Sequence, residues 1–406
     1  MRVLLITPFY APDLGPSAPL LTMLCEDLVR LGHQVSVIAA IPHYPSGIVS
    51  AEFRGRLIRH EKRSSVEVIR VWVPSGNRNK LRHRLLTFLV FQMLSSIVGL
   101  QCSYDVLIIT NPAIETYLPF TLLSSVKRKP TLLCVWDIYP DIGIRMGIFR
   151  NPLITSFVGK LEDFCLRRAN VIQVLGGGFI SDLQSHAVPT SKIVVIPPWL
   201  DTDFIQPLPR QNSFSYEQGL NGDFVVLYAG NLGFSQGLEN VLLAAKILSH
   251  LQHIRFVFIG DGANREKLMT KASDLELHNV KFIPFQSRDR LPEVLATSDL
   301  SLVSLQSGVG DSSLPSKTVP ILASGRPVLA VTDGGSGLWN LVHQSKGGVC
   351  VSPSDPRSLA ENILVLEQSP ELRQQMGRNA REFALQFYSR RSAAQQFETV
   401  LQRLVS

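Results

Sequence analysis

A lysine between two hydroxyl-bearing residues, Ser316 and Thr318, lies in the stretch SLPSKTVPILASGRPVLA (313–330). The stretch is typical of a loop, a short helix, a glycine stop and a buried strand, and it contains no carboxylate. A lysine side chain and the first turn of a helix both attract anions. We therefore expect an anion to bind at Lys317, in the first turn of a helix capped by Ser316.

Two further polar residues follow predicted strand ends. Asp137 comes directly after the apolar run TLLCVW (131–136), where it either binds a ligand hydroxyl or caps a turn. His43, with Tyr44 beside it, follows another strand in PHYPSG and either faces a site or holds a turn. Ligands bind at the carboxyl ends of strands in open α/β sheets. We therefore treat Asp137, His43 and Tyr44 as candidate site residues.

The elements that must position these residues are short apolar runs alternating with helical stretches. The runs are apolar throughout rather than alternating, which is typical of parallel strands buried on both faces. Strand–helix repetition predicts right-handed crossovers and doubly wound α/β sheets. The predicted strands are residues 3–7, 34–40, 105–110, 131–136, 170–175 and 192–197 in one set, and 224–230, 255–260, 280–285, 300–305 and 327–332 in another.

A segment rich in proline and polar residues, 197–223, separates the two sets and is predicted to be a linker. After it the chain repeats its opening order of strand, glycine loop and amphipathic helix. We therefore predict two Rossmann-like domains, residues 1–205 and 222–387, with a final helix at about 388–406 packing back on the first. The glycines of both loops are expected to let backbone approach a ligand; they are Gly15, Gly230, Gly233 and Gly237.

Composition narrows the class of protein. The 406 residues are 45% hydrophobic and 18% charged, as in a globular chain with sizeable cores. The formal net charge of +7 favours an acidic partner such as a phosphate or an anionic membrane. Five scattered cysteines without a C-x-x-C pattern argue for a reducing compartment and against a zinc site.

Other binding classes are disfavoured. The nearest match to a dinucleotide fingerprint is GDGANR, in which Gly260 and Gly262 are followed by Arg265 instead of a third glycine. No Walker lysine motif is present. The basic residues are not interleaved with aromatic ones and no nucleic-acid module is found, so we expect no nucleic-acid partner.

Five motifs in a fixed order resemble the donor-binding half of family 4 glycosyltransferases, which have the two-domain GT-B fold. They are YAGNLGFSQGLENVLLAA (228–245), FVFIGDGANREKL (256–268), KFIPF (281–285), LPEVLATSDLSLVSL (291–305) and LPSKTVPILASGRPVLA (314–330). The N-terminal half is similar in LVRLGHQVSVIA (28–39) and VIPPWLDTDFIQP (195–207), and WDIYPDIGIRMGIF (136–149) resembles the branch that builds exopolysaccharide, O-antigen and colanic acid.

The resemblance implies two domains facing across a cleft and transfer of a hexose or deoxyhexose from a UDP- or GDP-sugar, with retention at the anomeric carbon. It implies no bound metal or cofactor, the nucleotide-sugar being a co-substrate. The acceptor would be a glycan or polyprenyl-linked glycan, met by Asp137, His43 and Tyr44 in the cytoplasm. The donor would be held by Lys317, by the base-contacting segment Ile283–Phe285 and by the loop residues Gly15, Gly230, Asn231, Gly233, Gln236, Gly260, Gly262, Arg265, Ser316 and Thr318.

The chain departs from the family pattern in two places. Gln236 stands where relatives have a lysine, and Ser312 and Pro320 stand where they have paired glutamates. Two alternatives therefore stay open: a sugar-nucleotide epimerase of the same fold, and a nucleotide-sugar-binding subunit with impaired catalysis. Asp201 and Asp203 form a D-x-D, a metal motif of a different glycosyltransferase fold, and we expect them to cap a turn instead.

The segment NRNKLRHRLLTFLVFQMLSSIVGL (77–100) is the candidate membrane contact. Basic residues precede sixteen uncharged, mostly apolar ones, which is short for a span of about 20 residues. A helix lying on an anionic leaflet and a buried crossover helix with a basic start are both compatible with it. The first of these predicts a protein peripheral on the cytoplasmic membrane.

Overall fold

The computed structural model describes residues 1–77, 80–140, 151–308 and 315–406. The chain forms two compact units, one of residues 1–199 together with 390–406, and one of residues 200–389. The N-terminal segment of the first unit thus ends at Trp199, whereas the sequence predicted a boundary at residue 205. Because the last helix belongs to the first unit, the chain passes between the units twice.

The first unit is built on an eight-stranded sheet in the order β3-β4-β2-β1-β5-β6-β7-β8. Every neighbouring pair is parallel except β3 and β4. The central strands are buried on both faces, which explains their unbroken apolar sequence. The strands are β1 Arg2–Ile6, β2 Gln34–Ala40, β3 Ile58–Arg63, β4 Val66–Val71, β5 Val106–Thr110, β6 Thr131–Val135, β7 Val171–Val174 and β8 Ile193–Val195.

Helices cover both faces of this sheet. The helices α2, α3 and α4 pack on one face through residues such as Phe91, Phe120 and Leu166, while α1 and α14 cover the other. The helices are α1 Ala18–Arg30, α2 Leu81–Gln101, α3 Tyr117–Val126, α4 Pro152–Arg168, α5 Gly178–Ser185 and α14 Arg390–Val405, with short turns at Ala51–Phe53, Pro112–Thr116 and Thr190–Lys192.

The last helix is fixed to the first unit by charge and by packing. Arg390 donates from Nε to Asp27 Oδ2 at 2.7 Å and from Nη2 to Glu26 Oε2 at 2.9 Å, both on α1. Phe397 packs edge-on against Trp199, with ring centres 5.4 Å apart. The final residues therefore complete the core of the unit that begins the chain.

The second unit is built on a six-stranded parallel sheet in the order β11-β10-β9-β12-β13-β14. Its strands are β9 Phe224–Ala229, β10 Ile254–Ile259, β11 Val280–Ile283, β12 Leu300–Ser304, β13 Val328–Val331 and β14 Gly348–Val351. Its helices are α6 Ser213–Glu217, α7 Leu238–Ile247, α8 Arg265–Asp274, α9 Leu291–Ala296, α10 Thr318–Ala323, α11 Gly337–Ser345, α12 Pro356–Glu367 and α13 Pro370–Phe387, with short turns at Phe234–Gln236 and Arg288–Arg290.

The pattern of apolar runs did not predict three of the described strands, β3, β4 and β14. The sequence of β3 is IRHEKR, largely exposed at the sheet edge, so it carries no apolar run. Its partner β4 lies inside the sheet but alternates with polar residues, and β14 also lies at an edge and begins with a glycine. Edge strands need no second apolar face, which removes the signal used to predict the others.

The predicted linker is an ordered part of the second unit. Arg210 Nε donates to Asp299 Oδ2 at 3.0 Å, and Arg381 donates to the carbonyls of Thr202 and Ile205 at 3.0 and 2.8 Å. Asp201 Oδ1 accepts from the amides of Asp203 and Phe204 at 3.0 and 3.1 Å. The Asp201 carboxylate therefore holds its own turn.

Candidate functional site

Lys317 lies at the carboxyl edge of the second sheet, against the end of β9. Its Nζ is 3.8 Å from the centre of the Tyr228 ring and donates a hydrogen bond to the Tyr228 hydroxyl. The hydroxyl in turn donates to the Asn231 carbonyl at 2.7 Å. A Cβ on Gly230 would lie 3.0 Å from Nζ, so the lysine passes directly over the glycine loop.

The charge of Lys317 is not balanced locally. Among the described residues it forms no ion pair, and burial lowers its pKa to about 7. Removing a cation from water without a carboxylate partner is costly, and an incoming anion offsets that cost. The predicted anion-binding lysine is thus held at the carboxyl edge of the sheet, with a tyrosine as its hydrogen-bond partner.

The helix behind Lys317 differs from expectation. Lys317 itself is the N-cap of α10, Ser316 is exposed, and no side chain caps the helix. The prediction that Ser316 caps it is therefore wrong. With six residues, α10 is also too short for its backbone dipole to replace a side-chain charge. Thr318 is fully buried, and its Oγ1 has no hydrogen-bond partner among the described residues.

Glycines 230, 260 and 262 pack two loops together. All three adopt positive φ, at 147°, 138° and 155°. A Cβ on Gly260 would lie 2.1 Å from the Gly230 carbonyl oxygen, and one on Gly262 would lie 2.6 Å from the Leu232 backbone. The structure therefore requires glycine here for loop-to-loop packing, in addition to any close approach of a ligand.

The remaining loop residues are internally bonded. Gln236 Oε1 accepts from the Gly233 amide at 3.0 Å, and its Nε2 donates to Ser235 Oγ at 2.9 Å. A Cβ on Gly233 would lie 2.8 Å from Asn231 Nδ2. Gln236, at the position where the resemblance implies a lysine, thus ties its loop together and adds no cation.

Three predicted donor contacts lie further along the same edge. Arg265 begins α8, and its Nη1 lies 3.4 Å from the neighbouring Glu266 Oε1, which offsets part of its charge. Ile283 ends β11, and its carbonyl accepts from the Gly260 amide at 3.1 Å. Phe285 follows with 76% of its surface exposed. An exposed aromatic ring at a strand end is available for stacking.

In the first unit, a buried carboxylate organises the predicted loop residues. Asp13 accepts from the amides of Gly15, His43 and Tyr44 at 2.8, 2.9 and 3.3 Å. The His43 Nδ1 donates to the Ile41 carbonyl at 2.9 Å, which fixes the orientation of the ring. Asp13 therefore brings together Gly15, His43 and Tyr44, a contact that the sequence analysis did not predict.

Packing explains the conformation of the Gly15 loop. A Cβ on Gly15 would lie 2.4 Å from Cγ of the Phe9 ring. The same ring stacks on His43, with ring centres 5.6 Å apart. Gly15 is thus needed to admit the aromatic ring that supports His43.

Asp137 lies at the same edge but apart from His43. It is half-buried after β6, with no ion pair or hydrogen bond in the described ranges, and burial raises its pKa. Three strand spacings, about 14 Å, separate β6 from β2, which leads to His43. The residues 141–149 of the motif that begins at Trp136 lie outside the described residues, as does Ser312.

The sequence analysis missed two residues, Asp13 and Tyr228. Asp13 precedes Gly15 by two positions, which is a common spacing for a side chain that holds a turn, and so it carried a usable signal. Tyr228 lies inside the apolar run FVVLYAG, where nothing separates a hydrogen-bonding tyrosine from a core residue.

The outer surface of α2 is apolar. Leu85, Leu89, Met93 and Ile97 recur every four residues, each about half exposed, and we call them the α2 ridge. On α4, which packs on the same face of the sheet, Leu153 and Phe157 are also exposed. Residues Arg82–Gln101 are long and apolar enough to span a bilayer by length and composition, although part of this stretch is buried in the unit. Arg78, one of the basic residues that precede the apolar part of the segment 77–100, lies outside the described residues.

Known families match both halves of the chain. The family "Glycosyl transferase 4-like domain" matches residues 17–199, and the family "Glycosyl transferases group 1" matches residues 211–383. Together the two matches cover most of the sequence and meet near the boundary between the two units.

Individual relatives agree with the families. "Putative colanic acid biosynthesis glycosyl transferase WcaI" of Escherichia coli K12 is 26% identical over 89% of this chain and 91% of its own length. "Probable glycosyltransferase WbjE" of Pseudomonas aeruginosa is 27% identical over 71% of this chain and 73% of its own length. The Anabaena protein Alr3699/HepE, solved in complex with UDP, superposes with a TM-score of 0.69 at 16% identity, over 99% of this chain and 100% of that one. The predicted GT-B fold is confirmed.

Proposed function

Because the chain belongs to the family 4 glycosyltransferases, with relatives in the exopolysaccharide and O-antigen branch, we propose that it is a retaining, metal-independent hexosyl- or deoxyhexosyltransferase. It would take the sugar from a UDP- or GDP-sugar and add it to a lipid-linked glycan in cell-surface polysaccharide synthesis. The observation that carries this proposal is the half-buried ammonium of Lys317 at the carboxyl edge of the second sheet, which has no ion-pair partner among the described residues.

The chemistry of a nucleotide-sugar explains why such a lysine is useful. When the glycosidic bond breaks, negative charge accumulates on the departing diphosphate, and the protein must stabilise it in the transition state. The Lys317 ammonium, held by the Tyr228 hydroxyl, is already oriented before the donor binds. Preorganised charge of this kind costs little reorganisation during the reaction.

The donor assignment is supported by the solved relative. The Anabaena protein was crystallised with UDP. In this chain the exposed Phe285 ring would stack on the nucleobase, and Thr318 Oγ1, buried and without a described partner, would donate to a phosphate oxygen. The Asp137 carboxylate, which has no partner among the residues that the structure describes, would accept a hydrogen bond from the acceptor or from the transferred sugar.

A lipid-linked acceptor agrees with the surface of the first unit. The α2 ridge follows the basic residues Lys80, Arg82 and Arg84 at the start of the helix, so apolar and cationic groups occur together. Such a surface binds the interface of an anionic leaflet. The protein would then work as a peripheral protein on the cytoplasmic membrane.

Vesicle co-sedimentation tests the membrane contact. Replacing Lys80, Arg82 and Arg84 by glutamate should abolish binding to anionic vesicles, and binding of the wild type should weaken with salt. The matched control reverses three exposed basic residues at the β3 edge, Arg56, Lys62 and Arg63, and should bind as the wild type does. Equal binding by all three proteins would remove the membrane contact from the proposal.

Transfer itself is tested in two steps. Thermal-shift screening against UDP- and GDP-sugars identifies the donor, because a bound ligand raises the melting temperature by mass action. A transfer assay with that donor and polyprenyl-linked glycans should then give product in EDTA as well as in its absence. Activity lost in EDTA and restored by manganese would overturn metal independence.

Two residues favour a second candidate function, that of a donor-binding subunit with impaired catalysis. They are Pro320, where the family has a glutamate, and Gln236, where it has a lysine. Tight donor binding without transfer to any acceptor would support it. Pro320→Glu should then tighten donor binding if the ribose lies beside α10.

A further inference from the structure

The second unit contains a cavity of about 560 Å³ that the proposed reaction does not use. It is lined by one face of α13 and by the turn that joins α10 to β13. Its charged lining residues are Arg326, Arg373, Arg378, Arg381, Asp299 and Glu382, and we call it the arginine pocket.

The arginine pocket lies at the amino edge of the sheet. Asp299 directly precedes β12, and Arg326 and Pro327 directly precede β13. The glycine loops and Lys317 lie at the opposite, carboxyl edge. A five-residue strand spans about 16 Å, so the two places are too far apart to share one small ligand.

The charge in the pocket is unbalanced. Four arginines line it against two carboxylates, and Asp299 is already occupied, since its Oδ2 accepts from Arg210 Nε at 3.0 Å and from the Val225 amide at 2.8 Å. Glu382 is exposed. Burial lowers the pKa of Arg326 and of Arg381, and the nearby carboxylates of Asp299 and Asp203 offset only part of that effect.

One donor in the pocket is buried and unused. Arg326 Nη2 donates to the Leu208 carbonyl at 2.9 Å, which holds the guanidinium in place, while its Nε is buried and has no partner among the described residues. Buried N–H groups are nearly always hydrogen-bonded. The Arg326 guanidinium is therefore held beside the pocket with its charge only partly compensated.

The neighbouring arginines donate hydrogen bonds to neutral carbonyl and amide oxygens, so these contacts do not balance their charge. Arg381 Nη1 donates to the Ala323 carbonyl at 2.7 Å, and Arg373 Nη1 donates to the Glu367 carbonyl at 2.7 Å. Arg378 is exposed on α13 and donates to Gln375 Oε1 at 2.6 Å. Carbonyl partners orient a guanidinium without neutralising it, so a net positive potential remains.

We propose that the arginine pocket binds a phosphorylated small molecule at a site separate from the donor site. Phosphate oxygens match the donor geometry of arginine, and charge-assisted bonds of this kind are strong. The cavity is within the size range of sites that hold sugar phosphates or nucleotides. This inference does not rest on the transfer reaction.

Calorimetric titration with inorganic pyrophosphate tests the site. The full chain carrying Lys317→Met is used, so that the donor site no longer holds the probe. This protein should bind pyrophosphate, and adding Arg326→Met and Arg378→Ala should weaken the binding at least about tenfold. Arg357→Ala, at an exposed arginine on α12, is the matched control and should change nothing.

The variant that contains Arg326→Met could fail to fold. Arg378→Ala alone is then the test, because Arg378 is exposed on a helix and its replacement should leave the fold intact. It should weaken pyrophosphate binding about threefold or more while leaving the melting temperature unchanged. No binding by the Lys317→Met protein, or equal binding by the Arg378 and Arg357 variants, would overturn the proposal. Loss of binding only on mutating Lys317 would likewise assign all the phosphate binding to the donor site.

Discussion

The carboxyl edges of the two sheets are built alike but differ in how they treat charge. In the first unit, the buried carboxylate of Asp13 accepts three backbone amides and is saturated. In the second, the half-buried ammonium of Lys317 donates to a neutral partner, the Tyr228 hydroxyl, and forms no ion pair within the described parts of the chain. A carboxylate whose hydrogen-bonding capacity is filled by backbone amides holds its loop in shape. A cation without a described counter-charge can still take up an anion, so we propose that the same Rossmann-like architecture supplies a scaffold in one unit and a binding group in the other.

Lys317→Ala should give the largest effect. Loss of about 2–4 kcal/mol of transition-state stabilisation slows transfer about 30- to 1000-fold. The melting temperature should not fall, because the change removes a half-buried cation whose pKa burial already lowers. Initial rates at saturating donor measure the effect, with the exposed Lys267→Ala as control. More than half of wild-type activity in the Lys317 variant would show that this lysine does not face phosphate.

Asp137→Asn is the corresponding change in the first unit. If its carboxylate meets the reacting hydroxyl, transfer should fall about 100-fold. Burial raises the pKa of Asp137 above that in the unfolded chain, so this carboxylate costs stability at neutral pH. The asparagine variant should therefore melt no lower than the wild type. A lower melting temperature with unchanged rate would instead make Asp137 a turn cap.

The pH dependence of UDP affinity tests whether the Lys317 ammonium binds phosphate. Bound phosphate should raise the pKa of Lys317 from about 7, so binding takes up a proton above that pH. Affinity should then fall by up to about tenfold for each pH unit above 7. Calorimetry in buffers of different ionisation enthalpy measures the uptake. The same slope in Lys317→Ala would place the titrating group elsewhere.

Asp13→Ala should give the smallest change in chemistry but a clear loss of stability. Three amides lose their acceptor, at a cost of about 1–3 kcal/mol, which lowers the melting temperature by about 2–10 °C. Asp13→Asn keeps an acceptor oxygen and should recover part of the loss. An unchanged melting temperature in the alanine variant would mean that water replaces the carboxylate.

The sequence predicted the two-unit fold because buried parallel strands carry long apolar runs that no other element explains. It also singled out Lys317 as a candidate, since a lysine in a stretch without carboxylates is conspicuous, and its role stays a prediction. It could not find Tyr228, whose side chain lies in a strand that would be apolar in any case. It also assigned Ser316 to a helix cap, because composition does not show at which residue a six-residue helix begins.

The position of α14 has a consequence for synthesis of the protein. The second unit is one uninterrupted segment, so it can fold as soon as it has left the ribosome. The first unit, although made first, lacks the helix that covers Trp199 until residues 390–406 have been made. A chain truncated before Arg390 and released from the ribosome should therefore expose this apolar face and bind chaperones, while its second unit still folds.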